Sequence, residues 1–296
     1  MIDLHCHTTV SDGGDSPSEL VAKAAAVGLD AIAVTDHDND AGCPEAVATG
    51  LRHGVEVVRG VEISCDVEDL GVRGYSPRAR PTMHLLGYFI PESDNPLSQA
   101  LAELQYHRAN RNRLMVERLN DLGVPVTFEE VENEAGGPGS QIGRPHFAAV
   151  LVRHGAVSDY QQAFDEYLAK GAKAYLGRKL YKPVDAIELM LSAGAVPVFA
   201  HPFTLNLEAT ELARFTEELV DAGVKGIEAY HGDWTDDDQE PLRDMAASRG
   251  LVVSGGSDYH GDMRPDRSLP GGKTGVMTPD RALEDLRAVA GELQGA

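Results

Sequence analysis

The sequence is poor in cysteine and has no long apolar run, and each shortage excludes a class of protein. Its 296 residues include three cysteines, an odd number without zinc-ribbon spacing, so a disulfide framework is not expected. No apolar run approaches the roughly 18 residues that a membrane helix needs. The N-terminus lacks a basic stretch followed by an apolar one. We therefore expect a cytoplasmic protein with no signal peptide and no membrane partner.

Positive charge is also scarce. The chain has 26 Lys+Arg against 47 Asp+Glu, a net charge of −21. This argues against binding of long nucleic acid, whose affinity comes largely from cations on phosphates. Residues 96–182 are the exception, with 11 Lys+Arg against 10 Asp+Glu, whereas the remainder has 15 against 37. Such an acidic body would repel an anionic substrate unless cations such as divalent metals lay at its centre.

What the sequence does have is a series of short β-rich runs, nearly all of which lead into a His, Asp or Glu. Helical patterns of about a dozen residues separate many of them, and this alternation predicts a parallel sheet. Seven runs predict a closed or nearly closed β/α barrel, with its active site where the strands end. The runs are residues 2–4, 30–35, 55–61, 83–89, 196–200, 226–230 and 251–254.

Residues 96–182 interrupt this alternation. They begin with a long, arginine-rich helical pattern at 97–122, and a glycine-rich loop at 136–139 precedes further helical patterns. We expect a mostly helical insertion that serves as a substrate lid. It would lie over the C-terminal face of a distorted (β/α)7 barrel formed by residues 1–95 and 183–296, an α/β fold.

Two pairs of potential metal ligands lie near opposite ends of the chain. His5 and His7 flank Cys6, and side chains at i and i+2 on a strand face the same side, which leaves Cys6 as a small buried apolar residue. Asp258 and His260 repeat this spacing. If the barrel closes, its first and last strands are neighbours and the two pairs meet, although a histidine pair alone is often structural.

The other candidate ligands are ambiguous when each is taken singly. Asp12 has the surroundings of a turn residue, and His37 lies between two acids that could cap a helix. Glu62 lies inside an apolar run, where a carboxylate must be paired, hydrogen-bonded or bound to a metal. His84 and His201, considered alone, are typical of histidines buried in a core.

Together, these motifs resemble those of the polymerase and histidinol phosphatase (PHP) family within the amidohydrolase superfamily. His-x-His, Thr-Asp-His, Gly-x-Glu, His-Leu-Leu-Gly-Tyr, Ala-His-Pro and Gly-Ser-Asp-x-His occur in the family's order between residues 5 and 260. The resemblance implies a trinuclear site with every ligand position filled. One metal would be held by His5, His7, Glu62 and Asp258, a second by Glu62, His84 and His201, and a third by Asp12, His37 and His260.

Within the family, the chain is similar to the branch of nucleoside 3′,5′-bisphosphate phosphatases and a related 5′-to-3′ exoribonuclease. The motifs at 143–148, 200–202, 226–231 and 256–261 carry this similarity. Asp12 replaces a histidine that is usual in some other branches, which argues against histidinol phosphate as the substrate. The segment 65–81 is longer than is usual in this branch.

Nitrogen and oxygen ligands suit Mn, with Zn or Fe as alternatives, and the resemblance implies about three ions per chain. Two metals bridged by Glu62 would also bridge a water, whose pKa would fall from 15.7 toward about 7, so that hydroxide attacks phosphorus. Arg144, Arg178 and Lys179 are the predicted phosphate contacts, or else part of a solvated basic face. His231 is predicted either to protonate the leaving group or contact the base, or to be a buried histidine that supports the ligands.

The expected activity is removal of a phosphate, by resemblance the 3′-phosphate, from a small nucleoside 3′,5′-bisphosphate. A 5′-to-3′ exoribonuclease is the first alternative, disfavoured because RNA needs a long basic track that the acidic remainder of the chain lacks. A non-catalytic metal-binding module is disfavoured by the complete ligand set. A hydrolase of C–N bonds stays open, as does the oligomeric state.

Overall fold

The computed structural model describes residues 1–67, 82–92, 94–137 and 140–295, so most of the segment 65–81 and half of the loop 136–139 lie outside the described residues. No helix in these ranges is long and apolar enough to cross a bilayer. The strands are β1 (Ile2–Cys6), β2 (Ala31–Val34), β3 (Glu56–Asp66), β4 (Thr82–Tyr88), β5 (Val196–Phe199), β6 (Gly226–His231) and β7 (Val252–Gly256). The helices are α1 (Pro17–Ala26), α2 (Cys43–His53), α3 (Pro96–Asp121), α4 (Phe128–Glu134), α5 (Arg144–Arg153), α6 (Tyr160–Ala163), α7 (Pro183–Ser192), α8 (Ala209–Asp221), α9 (Asp236–Arg249) and α10 (Arg281–Gly295).

Across the described residues, the seven strands form one sheet in chain order, from β1 to β7. The sheet curls until its two edges meet just beyond the ends of β1 and β7. There the His7 N–H donates to the Tyr259 carbonyl at 2.9 Å, and Cys6 forms an isolated parallel bridge with Tyr259. The prediction of a seven-stranded, nearly closed β/α barrel is confirmed.

The predicted parallel arrangement is wrong for one strand. β4 runs antiparallel to both β3 and β5, with Asp66 opposite Thr82 and Tyr88 opposite Val196. Parallel neighbours need a long crossover connection, whereas an antiparallel strand can follow its partner directly, so β4 can lie beside β3 without one. The reversal places the start of β4, and with it His84, at the same barrel end as the carboxyl ends of the parallel strands.

The barrel helices pack apolar faces on the sheet, and two of them, α1 and α9, begin at a side-chain cap. At α1, the Ser16 side chain accepts a hydrogen bond from the Glu19 N–H, and the Glu19 carboxylate accepts one from the Ser16 N–H at 2.8 Å. Leu20 and Val21 on the next turn are fully buried against β2. This is the helix start that the sequence predicts, because the first N–H groups of a helix need side-chain acceptors.

Residues 96–182 contain helices α3 to α6 and a π-helical turn at Phe164–Leu168. Apolar side chains from this segment form a cluster of their own, among them Met115, Phe147 and Leu151, all fully buried. A separate core supports the division into a barrel, residues 1–95 and 183–296, and a helical insertion. That division stays a prediction.

Candidate metal centre

The nine side chains predicted as metal ligands come together at one end of the barrel. They lie on strands or in the loops just after them, and β4 contributes from its start because it is reversed. Potential ligand atoms fall within 4.8 Å of one another in several overlapping groups. All nine except His201 fall in these groups, and His201 Nε2 lies 2.7 Å from Glu62 Oε1. The nine residues are His5, His7, Asp12, His37, Glu62, His84, His201, Asp258 and His260.

The first group joins both ends of the chain, as the barrel closure requires. His7 Nε2 lies 3.1 Å from Glu62 Oε2 and 3.2 Å from Asp258 Oδ1. His5 Nε2 lies 3.3 Å from the same Glu62 oxygen. The backbone of β7 can pack this closely against His5 because residue 256 is glycine: a Cβ there would come within 2.5 Å of the His5 Cβ. The four side chains that the resemblance assigns to one metal are therefore neighbours.

The second group gathers around the other oxygen of Glu62. His84 Nδ1 lies 2.6 Å and His201 Nε2 lies 2.7 Å from Glu62 Oε1. The two imidazole nitrogens are 3.3 Å apart. Glu62 thus faces two sets of histidines with its two oxygens, the arrangement expected of a carboxylate that bridges two cations.

The third group lies at the rim of the cluster and includes one more residue than expected. His260 Nε2 lies 3.3 Å from Asp12 Oδ1, and His37 Nε2 lies 3.8 Å from Asp12 Oδ2. His7 Nδ1 is 3.7 Å from Asp12 Oδ1. His7 therefore contacts two of the groups through its two ring nitrogens, whereas the family resemblance assigned it to one metal only.

The backbone is strained where it delivers some of these ligands. His201 has a φ of 27° and Asp258 a φ of 51°, in the left-handed region that residues other than glycine rarely adopt. Such conformations cost about 1–3 kcal/mol each and cluster at functional sites. The fold holds these two side chains in place at the expense of local backbone stability.

Buried polar atoms without partners indicate that the cluster fits divalent cations. His5 Nε2, His7 Nε2, His37 Nδ1, His260 Nε2 and Glu62 Oε2 are each buried and lack a hydrogen-bond partner. An unsatisfied buried polar group costs about 1–3 kcal/mol, and more if it is charged. Because these atoms converge in overlapping groups of nitrogen and oxygen donors, metal coordination would satisfy them together.

The protonation states also suit metal binding, which needs ionised carboxylates and neutral imidazoles. Burial lowers the pKa of His37 to about 3 and that of His260 to about 4. Burial opposes ionisation of Glu62, but the surrounding imidazoles hold the pKa of Glu62 well below its usual range. His5 differs, because the Glu228 and Glu62 carboxylates outweigh its burial and raise its pKa to about 10. A cation would compete with a proton there.

Glu228 is a site residue that the sequence analysis missed. It is fully buried on β6 and accepts hydrogen bonds from His5 Nδ1 at 2.8 Å and from the His201 N–H at 2.6 Å. Burial opposes its ionisation, but His5 and His231 lower its pKa to about 2. Like Glu62, Glu228 is a carboxylate in an apolar run, between Ile227 and Ala229. The same argument could therefore have predicted Glu228 as a site residue from the sequence.

His231 lies on the metal side of the site and does not line the cavity described next. It is 1 % exposed, its Nδ1 accepts from the Asp233 N–H at 3.1 Å, and its Nε2 lies 3.8 Å from Asp258 Oδ2. Arg267 donates to the same Asp258 oxygen and to Asp233. His231 Nε2 makes no hydrogen bond at this distance, so both of its predicted roles, contact with the leaving group or base and support of the ligands, stay predictions.

A cavity of about 560 Å³ opens from the metal cluster toward the helical segment. Asp12, His37, His84 and His260 lie at its metal end. Arg144 and Arg178, two of the predicted phosphate contacts, line it, and the third, Lys179, does not. Lys179 instead pairs with Glu103 at 2.6 Å. The cavity lining also includes three arginines that the sequence analysis did not select, Arg108, Arg111 and Arg264.

Arg111 is the least exposed of these arginines, at 8 %. Its Nη1 contacts the Met115 sulfur at 3.2 Å, its Nε has no partner, and no carboxylate within the described ranges pairs with it. Burial and the neighbouring guanidinium groups of Arg108, Arg144 and Arg178 lower its pKa to about 9. Even though Arg108 and Arg178 share one carboxylate, that of Asp38, four guanidinium groups around one cavity favour an anionic ligand.

The model of the PHP domain family matches residues 3–176 of this sequence. This chain belongs to the PHP domain family. The 3′,5′-nucleoside bisphosphate phosphatase of Chromobacterium violaceum is 33 % identical over 259 residues, covering 88 % of this chain and 87 % of that protein. The 5′-3′ exoribonuclease of Haemophilus influenzae is 33 % identical over 261 residues, covering 87 % and 89 %.

The fold is shared with a solved structure as well. A metal-dependent phosphoesterase from Bifidobacterium adolescentis superposes with a TM-score of 0.77 at 30 % sequence identity, covering 100 % of this chain and 98 % of that one. The family, the relatives and the fold together identify this PHP protein as a hydrolase with a metal-dependent phosphoesterase fold. Its clustered His, Asp and Glu side chains could bind metals.

Proposed function

We propose that this PHP protein removes one phosphate, the 3′-phosphate, from small nucleoside 3′,5′-bisphosphates. One observation carries the proposal: a single cavity has potential metal ligands at one end and arginines at the other. A substrate with phosphates on both sides of one ribose presents an anionic group to each end. The bisphosphate class follows the similarity to the Chromobacterium violaceum phosphatase, and the choice of the 3′ position follows the family resemblance alone.

The metal end would hold about three divalent ions, with Mn as our proposal and Zn or Fe as alternatives. The ligand sets would be those of the three groups described above, with Glu62 shared between two of them. Ions held there would supply Lewis-acid activation of water and would neutralise the charge of the scissile phosphate. Glu228 would orient His5 and the backbone of His201, the kind of support that metal-binding histidines usually have.

The arginine end would bind the phosphate that does not react. Arg111 and Arg144 lie in the cavity wall, and the planar guanidinium group matches phosphate oxygens with paired hydrogen bonds. Binding energy from this second phosphate would position the first for attack. Arg144 and Arg178 belong to the helical insertion, so the insertion would act as a specificity lid, as the sequence analysis predicts.

Turnover of two substrates by the manganese-loaded protein tests the proposal. Adenosine 3′,5′-bisphosphate should be cleaved with a kcat/KM at least about 10-fold above that of 3′-AMP, a difference of ~1.4 kcal/mol. With 3′-AMP, which lacks the second phosphate, both kcat and affinity should be lower. Chromatography should identify 5′-AMP as the product of the bisphosphate. Equal kcat/KM values for the two substrates would refute recognition of the second phosphate.

An exoribonuclease is the second candidate, favoured by the 33 % identity to the Haemophilus influenzae enzyme. The enclosed arginine set and the acidic remainder of the chain suit a compact anion better than a long strand. Short 5′-phosphorylated RNA should therefore be a poorer substrate than the bisphosphate. Faster processing of RNA would favour the exoribonuclease instead.

A further inference from the structure

Asp38 connects the metal end of the cavity to the arginine end. It directly follows His37, and it is only 3 % exposed. Its backbone φ is 52°, in the left-handed region, which aspartate tolerates better than most residues. Burial of a carboxylate is costly unless hydrogen bonds and opposite charges compensate for it.

The carboxylate of Asp38 has both kinds of compensation. Its Oδ1 accepts a hydrogen bond from the Ser64 N–H at 2.8 Å. Its Oδ2 accepts from Arg108 Nη2 at 2.7 Å and from Arg178 Nη1 at 3.1 Å. Both arginines line the cavity. One carboxylate therefore fixes two guanidinium groups that approach from different parts of the helical segment.

The backbone of Asp38 ties the same point to the barrel. Its N–H donates to the Glu62 carbonyl at 2.9 Å, and its own carbonyl accepts from Gln105 Nε2 at 2.8 Å. Gln105 lies on α3 and also donates to Gln141 Oε1 at 3.2 Å. Asp38, in the loop after β2, is thus hydrogen-bonded to β3, the strand that carries Glu62, and to α3, the helix that carries Arg108.

We propose that Asp38 is a positioning residue, which holds Arg108 and Arg178 toward an anionic group of the substrate. The proposal rests on the proposed function in one respect, that a nucleotide phosphate occupies the arginine end. Each arginine has a long side chain with considerable rotamer entropy, and ordering it before the ligand arrives reduces the entropy lost on binding.

The rival explanation is that Asp38 merely neutralises the two arginines, and the two ideas predict opposite effects. If only charge matters, removing the carboxylate should raise the affinity for a phosphate, because one nearby negative charge is lost. If positioning matters, affinity should fall, because the guanidinium groups lose their fixed orientation. Asn is nearly isosteric with Asp and also tolerates positive φ, so Asp38→Asn separates the ideas.

Binding of 5′-AMP to chelator-treated protein, measured by calorimetry, provides a readout that does not depend on turnover. We expect Asp38→Asn to weaken 5′-AMP binding about 10-fold. Glu103→Gln is the matched control, since it removes the carboxylate that pairs with Lys179 outside the cavity. The affinity of this variant for 5′-AMP should stay within about twofold of that of the wild type. Unchanged or tighter binding by Asp38→Asn would overturn the proposal.

A second comparison shows whether Asp38 acts through the two arginines. In an Arg108→Gln/Arg178→Gln background, adding Asp38→Asn should cause no further loss of 5′-AMP affinity. A further fall of similar size would refute the proposal, because Asp38 would then act elsewhere. If Asp38→Asn alone fails to fold, Asp38→Glu keeps the charge and displaces the carboxylate: positioning predicts weaker 5′-AMP binding, and unchanged binding would overturn the proposal. Thermal melting of each variant confirms folding.

The proposed function and the role of Asp38 can fail separately. If 5′-AMP binding weakens in Asp38→Asn while the wild type turns over 3′-AMP and the bisphosphate equally well, the substrate is wrong and the positioning role stands. If the substrates differ as expected but Asp38→Asn binds 5′-AMP normally, only the positioning role is wrong. A wild type that does not bind 5′-AMP at all would overturn the positioning role.

Discussion

The two ends of the cavity are built in different ways. Ligands at the metal end project from strands or from the loops just after them, where the Glu62 side chain is 1 % exposed. Arginines at the other end project mainly from helices or loops of residues 96–182, where the Arg178 side chain is 25 % exposed. That segment has an apolar cluster of its own. We therefore expect substitutions at the metal end to abolish chemistry and those at the arginine end to change substrate preference.

The largest effect is expected from Glu62→Gln, because Glu62 contacts two groups of histidines with its two oxygens. The variant should lose metal and nearly all turnover while it keeps the fold, and His7→Ala should behave in the same way. Elemental analysis of the wild type should find about three ions per chain. Glu56→Gln, at the exposed start of the same strand, is the control. A fully active preparation with one ion or none would contradict this prediction.

Glu228→Gln should have the next largest effect, because it removes the charge that orients His5. Substitution of such supporting residues typically reduces metal affinity about 10- to 100-fold. Turnover should recover when excess metal is added, and thermal melting of the metal-free variant should show whether the fold itself is destabilised. The measurement is activity across a titration of the metal. A wild-type titration curve would mean that Glu228 has no part in metal binding.

A smaller effect is expected at the arginine end. Arg144→Ala should raise KM and lower kcat/KM for the bisphosphate about 10- to 100-fold, a loss of ~1.4–2.7 kcal/mol. The loss on 3′-AMP should be smaller, because that substrate lacks the second phosphate. Arg153→Ala, on the same helix but paired with Glu134 at the surface, is the matched control. Unchanged kinetics for Arg144→Ala would remove the basis of the lid hypothesis.

The smallest effect is expected at Lys179. It is the one predicted phosphate contact that does not line the cavity, and its partner Glu103 lies at the surface. Exposed ion pairs contribute little, so Lys179→Ala should change kcat/KM by about threefold or less. Steady-state kinetics on the bisphosphate will measure this. A loss as large as that of Arg144→Ala would place Lys179 at the substrate, and the arginine end would then extend to a residue that does not line the cavity.

Prediction from the sequence works better for the metal end than for the arginine end. His5 and His7 flank Cys6 at the end of a strand, and Glu62 lies in an apolar run, so each gives a local indication that the family motifs then complete. Arg111 is one of several arginines in a helical pattern, and nothing local distinguishes it from solvent-exposed Arg113. Its importance arises from burial beside three other arginines, which depends on how α3 packs on its neighbours.

By itself, the sequence determined the seven strands and several of the helices, because these depend on local hydrophobic periodicity, while the resemblance to the PHP family assigned the candidate ligands. Only the tertiary structure decided the direction of β4, the placement of Glu228 beneath His5, and the contact of Asp38 with Arg108 and Arg178. The physical reason is distance along the chain: His5 and Glu228 are 223 residues apart, and Asp38 and Arg178 are 140 apart. Such contacts follow from packing of the whole chain, which no local pattern specifies.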